Sequence, residues 1–162
     1  MKTSRSENGW PVSDRGDVPS VSGRLNGILK VQGERDTDVT ATGLYFHWFK
    51  DPTYFFLLVE DNKIGMELIL RGDELEAGKR YVIDMKNPSD VEASLLWKGS
   101  AGQSESDKVG ELHVRFITPE GDFERIDGDF DFEYTETGVG FERKVGFSCL
   151  NFSLKVPNKK IS

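Results

Sequence analysis

The chain has 162 residues, 36% hydrophobic and 30% charged, with 28 acidic against 21 basic side chains and a net charge of −7. This length fits one domain that can bury roughly 70% of its unfolded surface without a metal or disulfide staple. The negative balance argues against nucleic acid and against an anionic membrane surface, since both select a basic footprint, while leaving room for a basic partner. The single cysteine, Cys149, rules out an internal disulfide. Lying between Phe147 and Leu150, it reads as an inert core thiol.

Residues 1–20 are polar, carry Gly9, Pro11, Gly16 and Pro19, and read as an N-terminal arm anchored only by Trp10 and Val12. No apolar signal segment stands out there, so the expected location is cytoplasmic; a trimmed secreted chain would read the same. The longest apolar run, Tyr54 to Val59, is too short to span a bilayer as a helix. Val21–Gln32 reads as the first strand, Val39–Phe49 as the second and Tyr54–Glu60 as the third, followed by Ile64–Leu70. Gly72–Gly78 has room for one helical turn, and Lys79–Asp84 is a short strand. Val91–Lys98 is a strand or a helix. Ser89 and Glu92 have capping-box spacing, but Val91, Ala93, Leu95 and Trp97 alternate with Glu92, Ser94, Leu96 and Lys98, and strand is preferred. Ser100–Lys108 reads as a loop.

Gly110–Tyr134 has the clearest pattern. Leu112, Val114 and Phe116 alternate on one strand and Phe130, Phe132 and Tyr134 on the next, joined by Pro119-Glu120-Gly121-Asp122. Asp127, Asp129, Asp131 and Glu133 take the other face. In Gly140–Lys155 the apolar phase flips at Cys149–Leu150, as a one-residue bulge would require. The alternative is a strand buried on both sides. The expected fold is all-β: an antiparallel sandwich or partly open barrel of about eight to ten strands with little helix. Residues 21–155 form the single domain and 156–162 a short basic tail.

A segment carrying Leu75, Gly78 and Tyr81, followed by an alternating strand carrying Gly128, Phe130 and Phe132, resembles all-β domains of bacterial surface lipoproteins. The resemblance spans Leu75–Leu154 and implies a β-sandwich-like fold and no known activity. The chain departs from that family in lacking a lipoprotein signal and a lipid-accepting cysteine near its start.

No catalytic or cofactor motif stands out, and no cofactor or metal is expected. His47 and His113 are the only histidines and do not form HxH or HExxH spacing. There is no G-x-S-x-G elbow, and Gly138-Val139-Gly140 precedes a strand rather than a helix. The acidic strand reads as a solvated face partly neutralised by His113 and Arg115, because a straight strand cannot wrap a calcium ion. A carboxylate-dependent hydrolase has no specific support beyond spacing. Arg-Gly-Asp occurs at residues 15–17 and 71–73, both suited to ordinary turns.

The segments Leu44–Phe49 and Tyr54–Val59 are apolar on both faces. A hairpin between them sets Phe49 opposite Tyr54. One face then carries Leu44, Phe46, Trp48, Phe55, Leu57 and Val59. The other carries Tyr45, His47, Phe49, Tyr54, Phe56 and Leu58. A sheet with one wet side would not show this, so the second face needs a cover: the N-terminal arm, a partner, a second subunit or a ligand. The candidate site is therefore Tyr45, His47, Phe49, Tyr54 and Phe56. The expected function is non-catalytic protein binding or self-association, of inhibitor or immunity type. The alternative is a barrel carrying a small apolar ligand, with Tyr45, His47 and Tyr54 as its polar contacts.

Overall fold

The computed structural model describes residues 3–5, 11–13, 18–84, 90–100 and 104–159. Trp10, the Arg-Gly-Asp triplet at 15–17 and Ser89 lie outside these residues. The described residues are built from strands and turns, with no helix among them. Two short strands, β1 (Thr3–Arg5) and β2 (Pro11–Ser13), pair with each other. All the others belong to one sheet of ten: β3 (Ser22–Val31), β4 (Thr37–Thr40), β5 (Gly43–Phe49), β6 (Tyr54–Asp61), β7 (Met66–Asp73), β8 (Arg80–Asp84), β9 (Val91–Leu96), β10 (Ser104–Glu120), β11 (Phe123–Gly138) and β12 (Phe141–Pro157). Their order across the sheet is β4-β3-β12-β11-β10-β8-β9-β7-β6-β5.

The outermost strands, β4 and β5, are consecutive in the chain, so the sheet must curl until its edges approach. The link between them is stitched to both sides. The Ala41 N–H donates to the Leu25 carbonyl on β3 and the Thr42 N–H to the Glu60 carbonyl on β6. Ahead of β3, the Val21 N–H donates to Leu44 O and the Phe46 N–H to Pro19 O, at 2.9 and 3.0 Å. A curled, partly closed barrel leaves few unpaired edge groups, the usual remedy for an exposed sheet edge.

The long meander of β10, β11 and β12 carries most of the wall. A flat strand of 17 residues would run about 55 Å, longer than a domain of this size needs. Bulges bend these strands. The register slips between Ser106 and Val109, between Val114 and Phe116, and opposite Gly128–Phe130. The last is the expected bulge: Phe130 pairs with Cys149 and Gly128 with Phe152, so Leu150 and Asn151 together oppose Asp129. Gly128 leaves room for this, since a Cβ there would meet the His113 carbonyl and lie 2.9 Å from the Phe152 ring.

The structure also corrects the sequence reading in places. Phe116 is not core: the slip after Val114 turns it outward, 63% exposed, and brings Ile117 to the inner face beside Ile126. Leu150 is 81% exposed at its bulge, while Phe152 and Leu154 are buried. The sheet is also mixed rather than wholly antiparallel, because Ile83 of β8 pairs with Val91 of β9 in parallel. Elsewhere the boundaries shift. The span Val39–Phe49 is broken at Ala41–Thr42 into β4 and β5, and residues 104–108 belong to β10 rather than a loop. Strand β12 runs to Pro157, with Val156 fully buried. Val91–Leu96 is a strand.

The interior is one apolar cluster fed by every strand of the large sheet. Phe130 lies 5.7 Å from Phe147 and 6.0 Å from Phe152, and Phe46 lies 5.0 Å from Trp48, at ordinary aromatic packing distances. Cys149 is buried here, and desolvation pushes its thiol up to about 12.

Residues 74–79 form a turn rather than a helix. The Tyr81 hydroxyl ties it down, donating to Glu74 O at 2.8 Å and accepting from the Glu76 N–H at 2.7 Å. Leu75 is buried beneath it, and Gly78 takes φ +79°, which suits glycine. This has the logic of a tyrosine corner, in which a buried hydroxyl pins the backbone just upstream. Burial pushes the Tyr81 hydroxyl up to about 12, so it remains a donor throughout the physiological range. Tyr81→Phe should cost about 1–3 kcal/mol, because it leaves an N–H and a carbonyl unanswered. Urea unfolding would check this, and an unchanged midpoint would show that the turn holds without the hydroxyl.

Candidate functional site

Strands β5 and β6 pair in the expected register, with Phe49 opposite Tyr54, His47 opposite Phe56 and Tyr45 opposite Leu58. Period-2 facing sends Leu44, Phe46, Trp48, Phe55, Leu57 and Val59 into the interior. The alternate residues form a second, separate cluster on the outer face: Phe49, Tyr54, Phe56 and Leu58, with Tyr45 and Ile69 packed against them. Every residue of β6 is consequently buried.

All five candidate residues therefore share the outer face of β5 and β6. Phe49 and Tyr54 are nearly buried and Phe56 is 1% exposed, while Tyr45 and His47 are half-buried. The His47 ring stands edge-on to Phe49 at 4.7 Å, and Phe49 lies 6.2 Å from Tyr54. Desolvation against this surface lowers the His47 pKa, so the imidazole is held neutral and its ring contributes as an apolar plate.

Two members escaped the sequence reading. Val18 is 5% exposed and belongs to the outer cluster, so it anchors the arm, a role the sequence had not suggested for it. Tertiary pairing places it there: Val18 stands just before Pro19 and Ser20, which bond to β5. Ile69 joins because it pairs with Leu58, and its partner strand was not assignable from spacing alone. The patch ends at an ion pair. Arg71, opposite Phe56, donates from Nε to Glu92 at 2.6 Å, with both side chains 19% exposed. Arg71-Gly72-Asp73 is thus part of β7 and not a turn.

The acidic strand is spread along the opposite wall. His113 Nδ1 and Arg115 Nη1 each lie 3.4 Å from Asp129, and His113 pairs directly with it. Among the described residues no three histidine, cysteine, aspartate or glutamate side chains are grouped to hold a metal ion. Comparison with protein-family models, curated proteins and solved structures finds no match to this chain.

Proposed function

We propose that this chain is a non-catalytic β module that binds another protein through the outer face of β5, β6 and β7. The observation that carries the reading is the second apolar cluster, which lies outside the barrel interior and includes Tyr45 at its half-buried rim. Phe49, Tyr54, Phe56 and Leu58 are already buried within the chain, so the surface left for a partner is the rim at Tyr45 and His47, whose polar tips suit a surface that alternates between water and a partner. The net charge of −7 favours a basic partner, as an inhibitor or immunity-type protein would meet. The carrier reading is weaker. It assigns Tyr45, His47 and Tyr54 to a ligand within the barrel, yet Tyr45 and Tyr54 pack in the outer cluster, and the residues of β5 and β6 that face inward are apolar.

The test uses the rim, because Phe56→Ser would remove a buried ring and is expected to cost about 3 kcal/mol or more in stability alone. A Tyr45→Ala, His47→Ala double variant should keep most of its stability. Proteins captured from source lysate by the wild type would be identified, purified and titrated against both forms. A partner whose affinity falls at least about tenfold in the variant supports this face, since a few anchor residues carry most interface energy. Equal affinity for both forms, or no partner specific to the wild type, would rule the face out.

A further inference from the structure

The β12 bulge has a second consequence on the outer face. Beyond it, Asn151 pairs with Asn26 and Ser153 with Arg24, so two adjacent cross-strand pairs point the same way into solvent. Those four residues line an open groove of about 220 Å³ between β3 and β12. Opposed side chains on such a ladder start about 5 Å apart, and successive ones on a strand about 7 Å apart. Three short polar side chains and the longer Arg24 thus start from the corners of a small rectangle.

Their neighbours determine what they offer. Arg115 Nη2 donates to the Asn151 side chain. An arginine has only donors, so the atom it meets is the carbonyl oxygen, and the Asn151 NH₂ is left for the groove. Arg125 Nη1 donates to Ser153 Oγ at 2.9 Å, which leaves the serine hydrogen for another acceptor. Arg24 and Asn26 are exposed, and the guanidinium is always charged. The groove therefore presents N–H and O–H donors with no lining carboxylate. Arg115 also meets Asp129 and Arg125 is paired with Glu120 at 3.1 Å, while Lys155 follows Ser153 on the same face of β12. Acids flank the groove on both sides: Asp127 of β11 pairs with Ser153, Asp129 next to it is met by His113 and Arg115, and Asp38 of β4 stands two residues from Thr40, the partner of Asn26.

We propose that Arg24, Asn26, Asn151 and Ser153 form a binding site for a tetrahedral oxyanion, a phosphate or sulfate group. Donors on four sides suit oxygens on several sides. A carboxylate, with two coplanar oxygens, would be satisfied by the Arg24 fork alone. The group could be a free ion or an ester on a larger molecule, and the two are separable by titration.

The full chain, isotope-labelled for NMR, would be titrated at constant ionic strength with inorganic phosphate, inorganic sulfate, O-phosphoserine and acetate. Phosphate or sulfate should give saturable shifts of the Asn26 and Asn151 side-chain NH₂ and of Arg24 Nε–H, with a dissociation constant of about a millimolar or tighter. Arg24→Ala should weaken binding about tenfold or more, the usual share of a charge-assisted hydrogen bond. Because Arg24 is exposed, the fold should persist, and the unaffected remainder of the spectrum would show it. O-phosphoserine binding at least as tightly as phosphate marks an esterified group as the ligand, and preference for the inorganic ion marks a free one. Either outcome supports the site. Linear shifts that never saturate, acetate binding as tightly as phosphate, or unchanged affinity in Arg24→Ala would overturn it.

Discussion

Phe130→Ala is expected to destabilise the chain by about 3–5 kcal/mol, and Phe116→Ala by less than about 1 kcal/mol. The two residues look alike in sequence, each at the apolar phase of an alternating strand. Phe130 is 2% exposed and packs between Phe147 and Phe152, so truncation leaves a cavity that those rings cannot fill. Phe116 is 63% exposed, beyond a register slip that turns it out of the core. Urea unfolding of both variants would read the difference. Comparable losses would mean that the slip between Val114 and Phe116 is misplaced and that the strand continues in one phase. A small loss at Phe130 would put the inner face of β11 in error.

Breaking the Arg143 cluster should cost nearly as much. Arg143 contacts Glu136 Oε1 through Nε at 3.0 Å and Nη2 at 2.7 Å. It also reaches Glu34 at 3.2 Å and the Gly99 carbonyl at 2.9 Å, and its guanidinium lies 5.7 and 5.4 Å from the Trp97 and Phe141 rings. It thus joins the turn after β3, the turn after β9 and the β11–β12 hairpin at one end of the barrel. Glu136 is 2% exposed, so Arg143→Met leaves a buried carboxylate with the long Ser100 hydroxyl contact at 3.4 Å. The expected loss is about 3 kcal/mol, at the lower end for a broken buried pair because Arg143 itself is 22% exposed. Pairing Arg143→Met with Glu136→Leu should recover most of it, since the stranded charge is then gone. Equal instability of the single and double variants would assign the loss to packing of the arginine stem against Trp97 and Phe141 instead.

Much of the architecture was legible from side-chain alternation. The facing of Phe130, Phe132 and Tyr134, the bulge at Cys149–Leu150, the strand at Val91–Leu96 and the β5–β6 register all follow from period-2 pattern and turn length. These are local properties, written wherever one face of a strand is dry and the other wet. The all-β class follows for the same reason. What misled was also local: Phe116 kept the apolar phase across a slip, and phase alone cannot place a bulge whose flanking residue is apolar on either side.

The site divides along the same line. That Tyr45, His47, Phe49, Tyr54 and Phe56 share a face, and that this face needs a cover, is dictated by two adjacent strands apolar on both sides. That Val18 and Ile69 complete the cluster was decided by strand order, which a single sequence does not encode locally. The groove at Arg24, Asn26, Asn151 and Ser153 belongs wholly to tertiary structure. Its members come from segments far apart in the chain, and their polarity gives no hydrophobic phase to read. Only the pairing of β3 with β12, and the arginines that occupy the acceptors of Asn151 and Ser153, turn four ordinary polar residues into converging donors. Burial pattern is a property of each strand, and the sequence carries it. Which strands become neighbours is a property of the whole sheet, decided by closure of the barrel around one core.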